Sequence, residues 1–246
     1  MPRHPPDFML VTPSALDGAL LVDKPSGWTS HDVVDKLRRH LGIKKVGHCG
    51  TLDPMATGLL IILLGKGTKL SDQLMSSDKV YAGQVRFGET TSTYDAEGEM
   101  VASLPVPPIT LDSLNESARA FVGDLMQTPP MVSAVKVKGV PLYRLARQGL
   151  EVERDARLVH VYNFRFSAYT EPVGDFRLAC TKGTYVRSIA HDLGEALGCG
   201  AHLAALRRLD SGRFSVADAT PLAALLASEP SELLAKVVPF VKLLAA

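Results

Sequence analysis

The chain has 246 residues, of which 46% are hydrophobic and 22% charged, and a net charge of +1. That length buries a sizeable core as one large domain or two small ones, so no disulfide or metal staple is needed to fold it. Three cysteines at wide spacing with no C-x-x-C pair exclude a disulfide framework and fit a reducing cytoplasm, and no apolar run approaches the roughly 18 residues of a membrane span.

In chain order, Met1 to Asp17 holds Pro2, Pro5 and Pro6 and no apolar h-region, so it reads as a loose tail rather than a signal peptide. Gly18 to Asp23 is a short apolar run closed by Lys24-Pro25-Ser26-Gly27, a strand and then a turn. Ser30 is expected to cap a helix with Val33, Val34, Leu37 and Leu41 on one face and Gly42 as its stop. Lys36, Arg38, Arg39, His40, Lys44, Lys45 and His48 make this segment basic. Solvated helix faces often carry such runs, and a phosphate-binding surface carries them too.

The stretch His48-Cys49-Gly50-Thr51-Leu52-Asp53-Pro54-Met55-Ala56-Thr57-Gly58 follows. Proline pushes Asp53 out of helical geometry, and glycines at 47, 50 and 58 allow close backbone approach, which places the carboxylate on a loop. By composition alone the favoured reading is an ordinary turn before a buried strand over Thr57 to Leu64. Gly65-Lys66-Gly67-Thr68 fails as a phosphate loop, because position 60 is Leu and Gly67 interrupts the Lys-Thr pair; a helix from about Thr68 to Met75 is expected instead.

Val80 to Phe87 alternates, with Tyr81, Gly83, Val85 and Phe87 on one face, so Tyr81 reads from pattern as a half-buried strand tyrosine. Thr110 caps a helix ended by Gly123. Gln127 to Gly149 is a basic excursion interrupted by prolines, with a Pro141-started helix. Ala156 to Tyr169 and Asp175 to Thr181 read as a hairpin, and Thr184 opens a helix ending at Gly198. Arg187 falls in its first turn, where a cation opposes the helix dipole, so another requirement holds it there. Thr220-Pro221 caps a short helix in the Ala/Leu-rich end. Lys136, Lys138, Arg144, Arg147, Arg207, Arg208 and Arg213 are further candidate phosphate contacts. Cys199 and His202 form a C-x-x-H which, with His48 and Cys49, lacks ribbon-like zinc spacing; no metal is expected.

The segment GHCGTLDPMATGLL at 47–60 resembles the catalytic motif of the TruB family of tRNA pseudouridine synthases, in which the aspartate is the indispensable residue. DKPSGWTS at 23–30, DKVYAG at 78–83, KGTYVRSIAHDLG at 182–194 and GCGAHLAALRRLDSG at 198–212 resemble further family segments in the expected order, over about residues 18–216. The resemblance implies an α/β (α+β) fold, with a mixed, largely antiparallel sheet flanked by helices and an RNA-binding cleft. Residues 18–216 would form the catalytic domain, 127–149 a thumb-like insertion, and 217–246 a short helical extension in place of the RNA-binding PUA domain of longer members.

The implied reaction converts the T-loop uridine of tRNA into pseudouridine-55, without a cofactor. The base is flipped out at a cost of a few kcal/mol. Asp53 would attack C1′ or remove the C2′ proton, and Arg187 would keep it anionic and oriented. Tyr81 would stack on the uracil, Tyr185 and Leu206 would line the pocket, and His48 would fill the space left by the base. The partner implied is the tRNA T-arm, with no membrane and no metal, and a cytoplasmic monomer is expected. A noncatalytic tRNA-binding or folding module is the alternative. Intact Asp53, Tyr81 and Arg187 weigh against it, since RNA binding alone has no use for a carboxylate facing phosphates. A small-molecule enzyme with an aspartate nucleophile accounts less economically for the dispersed cations.

Overall fold

A computed structural model describes residues 13–244 other than 134, 138 and 147. The elements in chain order are β1 (Gly18–Lys24), α1 (Ser30–Leu41), β2 (Val46–Cys49), β3 (Thr57–Leu64), α2 (Ser71–Met75), β4 (Lys79–Phe87), β5 (Glu89–Thr91) and β6 (Met100–Ser103). Then come α3 (Leu111–Ala118), β7 (Gly123–Gln127), β8 (Lys136–Val137), β9 (Val140–Pro141), α4 (Leu142–Ala146), β10 (Arg157–Thr170), β11 (Val173–Cys180) and α5 (Val186–Ala196). Last are β12 (Ala201–Ser211), β13 (Phe214–Ser215), β14 (Thr220–Pro221), α6 (Leu222–Ala227), α7 (Pro230–Ala235), β15 (Val238–Pro239) and α8 (Phe240–Leu244). The fold is mixed α/β, and its strands pair mostly antiparallel. It divides into two compact units, one running to Ser77 and resuming at Arg207, the other Asp78–Leu206.

In the first unit β3 is the central strand. It pairs antiparallel with β1 from Gly18↔Leu64 to Lys24↔Gly58, antiparallel with β2, and parallel with β12 at Arg207↔Thr57 and Arg208↔Gly58. Strands flanked this way are read by burial on both faces rather than by alternation, and Leu59 to Leu64 are all at most 1% exposed. Ala19, Leu21, Cys49, Leu59, Ile61, Leu63, Leu74, Phe214 and Leu243 form one apolar cluster. Helix α1 buries Val33, Val34, Leu37 and Leu41 and stops at Gly42, whose φ of 64° is left-handed, as expected. Its cap is Thr29, not Ser30: Thr29 and Asp32 form a reciprocal capping box that satisfies the helix's first free N–H groups. Ser30 is released for a different bond, described below.

In the second unit β4, β11, β10 and β7 follow one another antiparallel, and β12 starts beside β4. The alternation of β4 holds, with Tyr81, Val85 and Phe87 buried and Gln84 exposed. Phe164, Phe166 and Phe176 pack edge-on or tilted at 5.2–6.0 Å between centroids. A Cβ on Gly174 would come within 2.8 Å of Phe166 and 3.3 Å of Leu114, so glycine lets α3 approach β11. Thr110 caps α3 through Ser113, as the sequence suggests.

Other expectations shift by a few residues. The helix expected over 68–75 is a 3-10 segment, Gly65–Leu70, followed by α2. Pro141 pairs in β9 and α4 starts after it. Tyr185, not Thr184, precedes α5, and Pro221 precedes α6 without a side-chain cap. Strand β12 has no strand signal, because Ala, Leu and Arg are helix formers; its pairing neighbours make it a strand. The loose tail expected for 1–17 lies, through residue 12, outside the described residues, and Pro13–Leu16 form one 3-10 turn. Among the described residues no helix is long and apolar enough to cross a membrane.

Candidate functional site

Asp53 lies on a loop between β2 and β3. The loop closes on itself where Ala56 N donates to Asp53 O at 3.0 Å. The Lys24–Ser30 segment clasps it. Lys24, with 0% exposure, donates from Nζ to Pro25 O at 2.9 Å, Trp28 O at 2.6 Å and Pro54 O at 3.1 Å. Gly27 N also donates to Pro54 O, at 2.9 Å. Ser26 Oγ donates to Met55 O at 3.2 Å, while Ser30 Oγ accepts from Leu52 N at 2.9 Å and donates to Leu52 O at 3.2 Å. A buried ammonium is stable only when its donors are satisfied, and here that requirement is met by two carbonyls of its own turn, Pro25 and Trp28, and by Pro54, the residue after Asp53.

Arg208 grips the two ends of the same loop. It is 1% exposed and donates from Nε to Leu59 O at 2.7 Å and from Nη2 to Gly50 O at 3.1 Å. Gly58, at φ 96°, lets β12 lie this close, since a Cβ there would sit 2.3 Å from Arg208 O. His48, on β2, has its protonation opposed chiefly by burial and then by the charges of Arg208 and His31, partly offset by a hydrogen bond with the Gly50 backbone. Its pKa is therefore lowered from the ordinary imidazole value, which favours the neutral ring. Arg207 forms a bidentate pair with Asp23 at 2.9 and 2.7 Å.

The second unit carries the remaining candidates. Tyr81 on β4 and Leu206 on β12 are each 9% exposed, on strands that neighbour one another. Tyr185 precedes α5 with no cap from its own side chain; instead Gln127 supplies one, accepting from Tyr185 N at 2.9 Å and donating to Tyr185 O at 3.2 Å. Arg187 is 3% exposed. Its Nη1 faces Thr93 O and Asp95 Oδ2, both at 3.4 Å, and its Nη2 donates to Val132 O at 2.7 Å. The requirement that keeps a cation in the first turn of α5 is thus a set of oxygens from two other segments, including a carboxylate that is itself 2% exposed.

Asp53 and His48 therefore belong to the first unit, and Tyr81, Tyr185, Arg187 and Leu206 to the second. The sequence does not mark Lys24, Gln127 or Asp95 as site residues, and it offers Arg208 only as a phosphate contact. Lys24 sits inside a recognisable segment, and a lysine before Pro-Ser-Gly at the end of an apolar strand is the one signal that could have marked it. Asp95 lies in an acidic group with Glu97 and Glu99, and nothing in that spacing marks it out.

Of the cations considered as phosphate contacts, Lys36, Arg39, Lys44, Lys45 and Arg144 are exposed. Arg208 is not available, because its guanidinium is spent on backbone carbonyls, and Arg207 is engaged by Asp23. Arg213, although exposed, donates to Lys242 O and covers Phe214 at 5.0 Å. Lys138 and Arg147 lie outside the described residues. His202 Nδ1 is 3.0 Å from Glu89 O, and among the described residues no three His, Cys, Asp or Glu are grouped to hold a metal ion.

Residues 38–186 match the model of the TruB family pseudouridylate synthase N-terminal domain, and residues 187–241 that of the tRNA pseudouridylate synthase B C-terminal domain. The chain is 55% identical over 224 residues to a tRNA pseudouridine synthase B of Opitutus terrae, covering 91% of this chain and 93% of the relative. It is 48% identical over 217 residues to that of Syntrophotalea carbinolica, covering 88% and 71%. Among solved structures, a chain of a Cbf5-Nop10-Gar1 complex superposes with a TM-score of 0.73 at 28% identity over 93% of this chain, which spans 62% of that chain. With the Lys24–Ser30 and Gly47–Leu60 segments joined at the Asp53 loop and the likeness running nearly end to end, the chain belongs to the TruB family of pseudouridylate synthases.

Proposed function

We propose that this chain isomerises a uridine of the tRNA T-arm, position 55, to pseudouridine. The N1–C1′ bond breaks, the uracil turns, and a C5–C1′ bond forms; the C5 proton leaves to solvent and N1 is protonated, so no cofactor is consumed. The observation that carries this reading is the 55% identity to a tRNA pseudouridine synthase B over 91% of the chain. It is supported by a carboxylate on a loop that Lys24 and Arg208 hold rigidly, since catalytic groups gain most from a pre-organised backbone.

In this reading Asp53 is the reacting carboxylate, acting at C1′ or on the C2′ proton. Arg187 is the always-charged guanidinium that balances it, and Tyr81 stacks on the flipped uracil. Tyr185 and Leu206 line the base pocket, and neutral His48 takes the place of the extruded base. A neutral imidazole suits that place, because it stacks without carrying charge into an apolar gap. The protein acts in the cytoplasm as a monomer. Incubating it with a T-arm RNA labelled with tritium at C5 of uridine tests the proposal. Tritium release confined to position 55 is expected, and RNA binding without release would favour the folding-module reading instead.

A further inference from the structure

Tyr94 is the one non-glycine residue among those described with a left-handed backbone, at φ 63°. A bulky side chain there is strained, so its surroundings must hold it. Its ring lies flat on His191, with centroids 3.9 Å apart and planes 11° from parallel. His191 Nδ1 is buried with no hydrogen-bond partner. The imidazole is thus placed to present its ring face rather than that polar atom.

The turn that carries Tyr94 also carries the oxygens facing Arg187. Thr93 O and Asp95 Oδ2 stand on either side of Tyr94, each 3.4 Å from Arg187 Nη1. Contacts of that length are weak singly, and they orient a guanidinium only if the turn itself is fixed. The turn is fixed on one side by β12, where Leu203 N donates to Tyr94 O at 2.9 Å and Ala96 N donates to Leu203 O at 3.0 Å. On the other side it meets α5 at two points. Arg187 and His191 are four residues apart, hence neighbours on one helix face. The left-handed backbone turns the ring of Tyr94 onto that face while the flanking oxygens address Arg187.

We infer that the Tyr94–His191 stack is a positioning clamp for Arg187: it locks the Thr93–Asp95 turn to α5 one helical turn beyond the guanidinium and so holds the guanidinium in one orientation. This rests on the proposed role of Arg187 in the reaction. Tyr94 and His191 act through Arg187 and need not touch RNA.

The deciding variant is Tyr94→Gly, because glycine relieves the backbone strain while deleting the ring. A purely structural role predicts an equal or higher Tm and unchanged turnover. The clamp predicts the same Tm behaviour with kcat down about tenfold to a hundredfold and KM for tRNA within about threefold. His191→Ala should reproduce that kcat loss, and combining the two should add little, as expected of residues acting as a unit. Tyr94→Phe and His191→Phe keep a ring on each side and should restore kcat to within about twofold of the parent. Tyr94→Gly or His191→Ala turning over within twofold of the parent would overturn the clamp. Arg187→Met, checked for folding by its melt, separates the two layers of inference. If it retains turnover, the role of Arg187 fails; if it is inactive while Tyr94→Gly is not, only the clamp fails.

Discussion

Replacing Asp53 by Asn keeps size and hydrogen-bonding shape and removes the charge, with nearly all nucleophilicity and basicity. A turn residue would tolerate this change, since Asn and Asp are both favoured in turns. We expect Asp53→Asn to lose pseudouridine formation while melting normally and binding T-arm RNA as well as or slightly better than the parent. Turnover within about tenfold of the parent, a barrier change near 1.4 kcal/mol, would be too small for loss of the reacting carboxylate. His48 supports a prediction in pH. Its folded-state pKa is lowered from 6.5 by burial, Arg208 and His31, so the unfolded chain binds its proton more readily. The stability it contributes is complete above the unfolded value and is lost as pH falls through the interval down to the folded value. His40, lowered by burial and Lys36, adds in the same direction. The Tm should decline as pH is brought from about 7 to 5, and His48→Gln should flatten part of that decline; an unchanged profile would mean that His48 does not titrate with folding.

Among elements, the segment that clasps the Asp53 loop and the excursion from Gln127 to Gly149 behave differently. The clasp is a strand end and a helix start tied to the loop by a buried ammonium. Lys24→Met would strip a donor from three carbonyls, each worth about 1–3 kcal/mol if left unsatisfied, partly relieved at Pro54 by Gly27. We expect a fall in stability of about 2–4 kcal/mol by denaturant titration, and a loss below about 0.5 kcal/mol would show that the ammonium is not structural. The excursion is tied near its start, where Arg154 donates to Pro129 O at 3.2 Å and Arg187 to Val132 O at 2.7 Å, and beyond that, among the described residues, its strands β8 and β9 pair with each other. An element held so is ordered by whatever covers it. Amide hydrogen exchange over 127–149 should slow when tRNA is added, whereas exchange in β3 should not change. Equal protection with and without tRNA would remove the idea of a lid.

For the whole molecule a net charge of +1 conceals an uneven distribution. Lys36, Arg39, Lys44 and Lys45 are exposed on α1 and the segment after it, which leads directly into β2 and the Asp53 loop. Cations that neutralise RNA phosphates release counterions, and each lost contact lowers the slope of log K against log salt by about one. Lys44→Gln with Lys45→Gln should therefore reduce that slope by about one to two while leaving kcat at saturating tRNA unchanged. A slope equal to the parent's would assign these lysines to a solvated surface and nothing more.

What the sequence determined by itself was local. Proline after Asp53, the glycines around it, the apolar run of β3, the alternation of β4 and the Leu/Val face of α1 act through steric limits and periodicity, which neighbouring residues alone specify. The resemblance of short segments added their order and the family's chemistry. What only the tertiary structure decided is which polar groups are buried and what satisfies them. Lys24 and Arg208 look in sequence like surface cations, Asp95 like one of an acidic group, and Gln127 like a loop residue. Each is instead a long-range partner: Lys24 meets Pro54 across 30 residues, Gln127 meets Tyr185 across 58, Asp95 meets Arg187 across 92, and Arg208 meets Gly50 across 158. The same holds for β12, whose helix-forming residues become a strand beside β3 and β4. Desolvation is the physical reason: a charge is costly in an apolar interior unless oxygens or hydrogens from elsewhere in the chain reach it, and chain folding, not local spacing, brings them there.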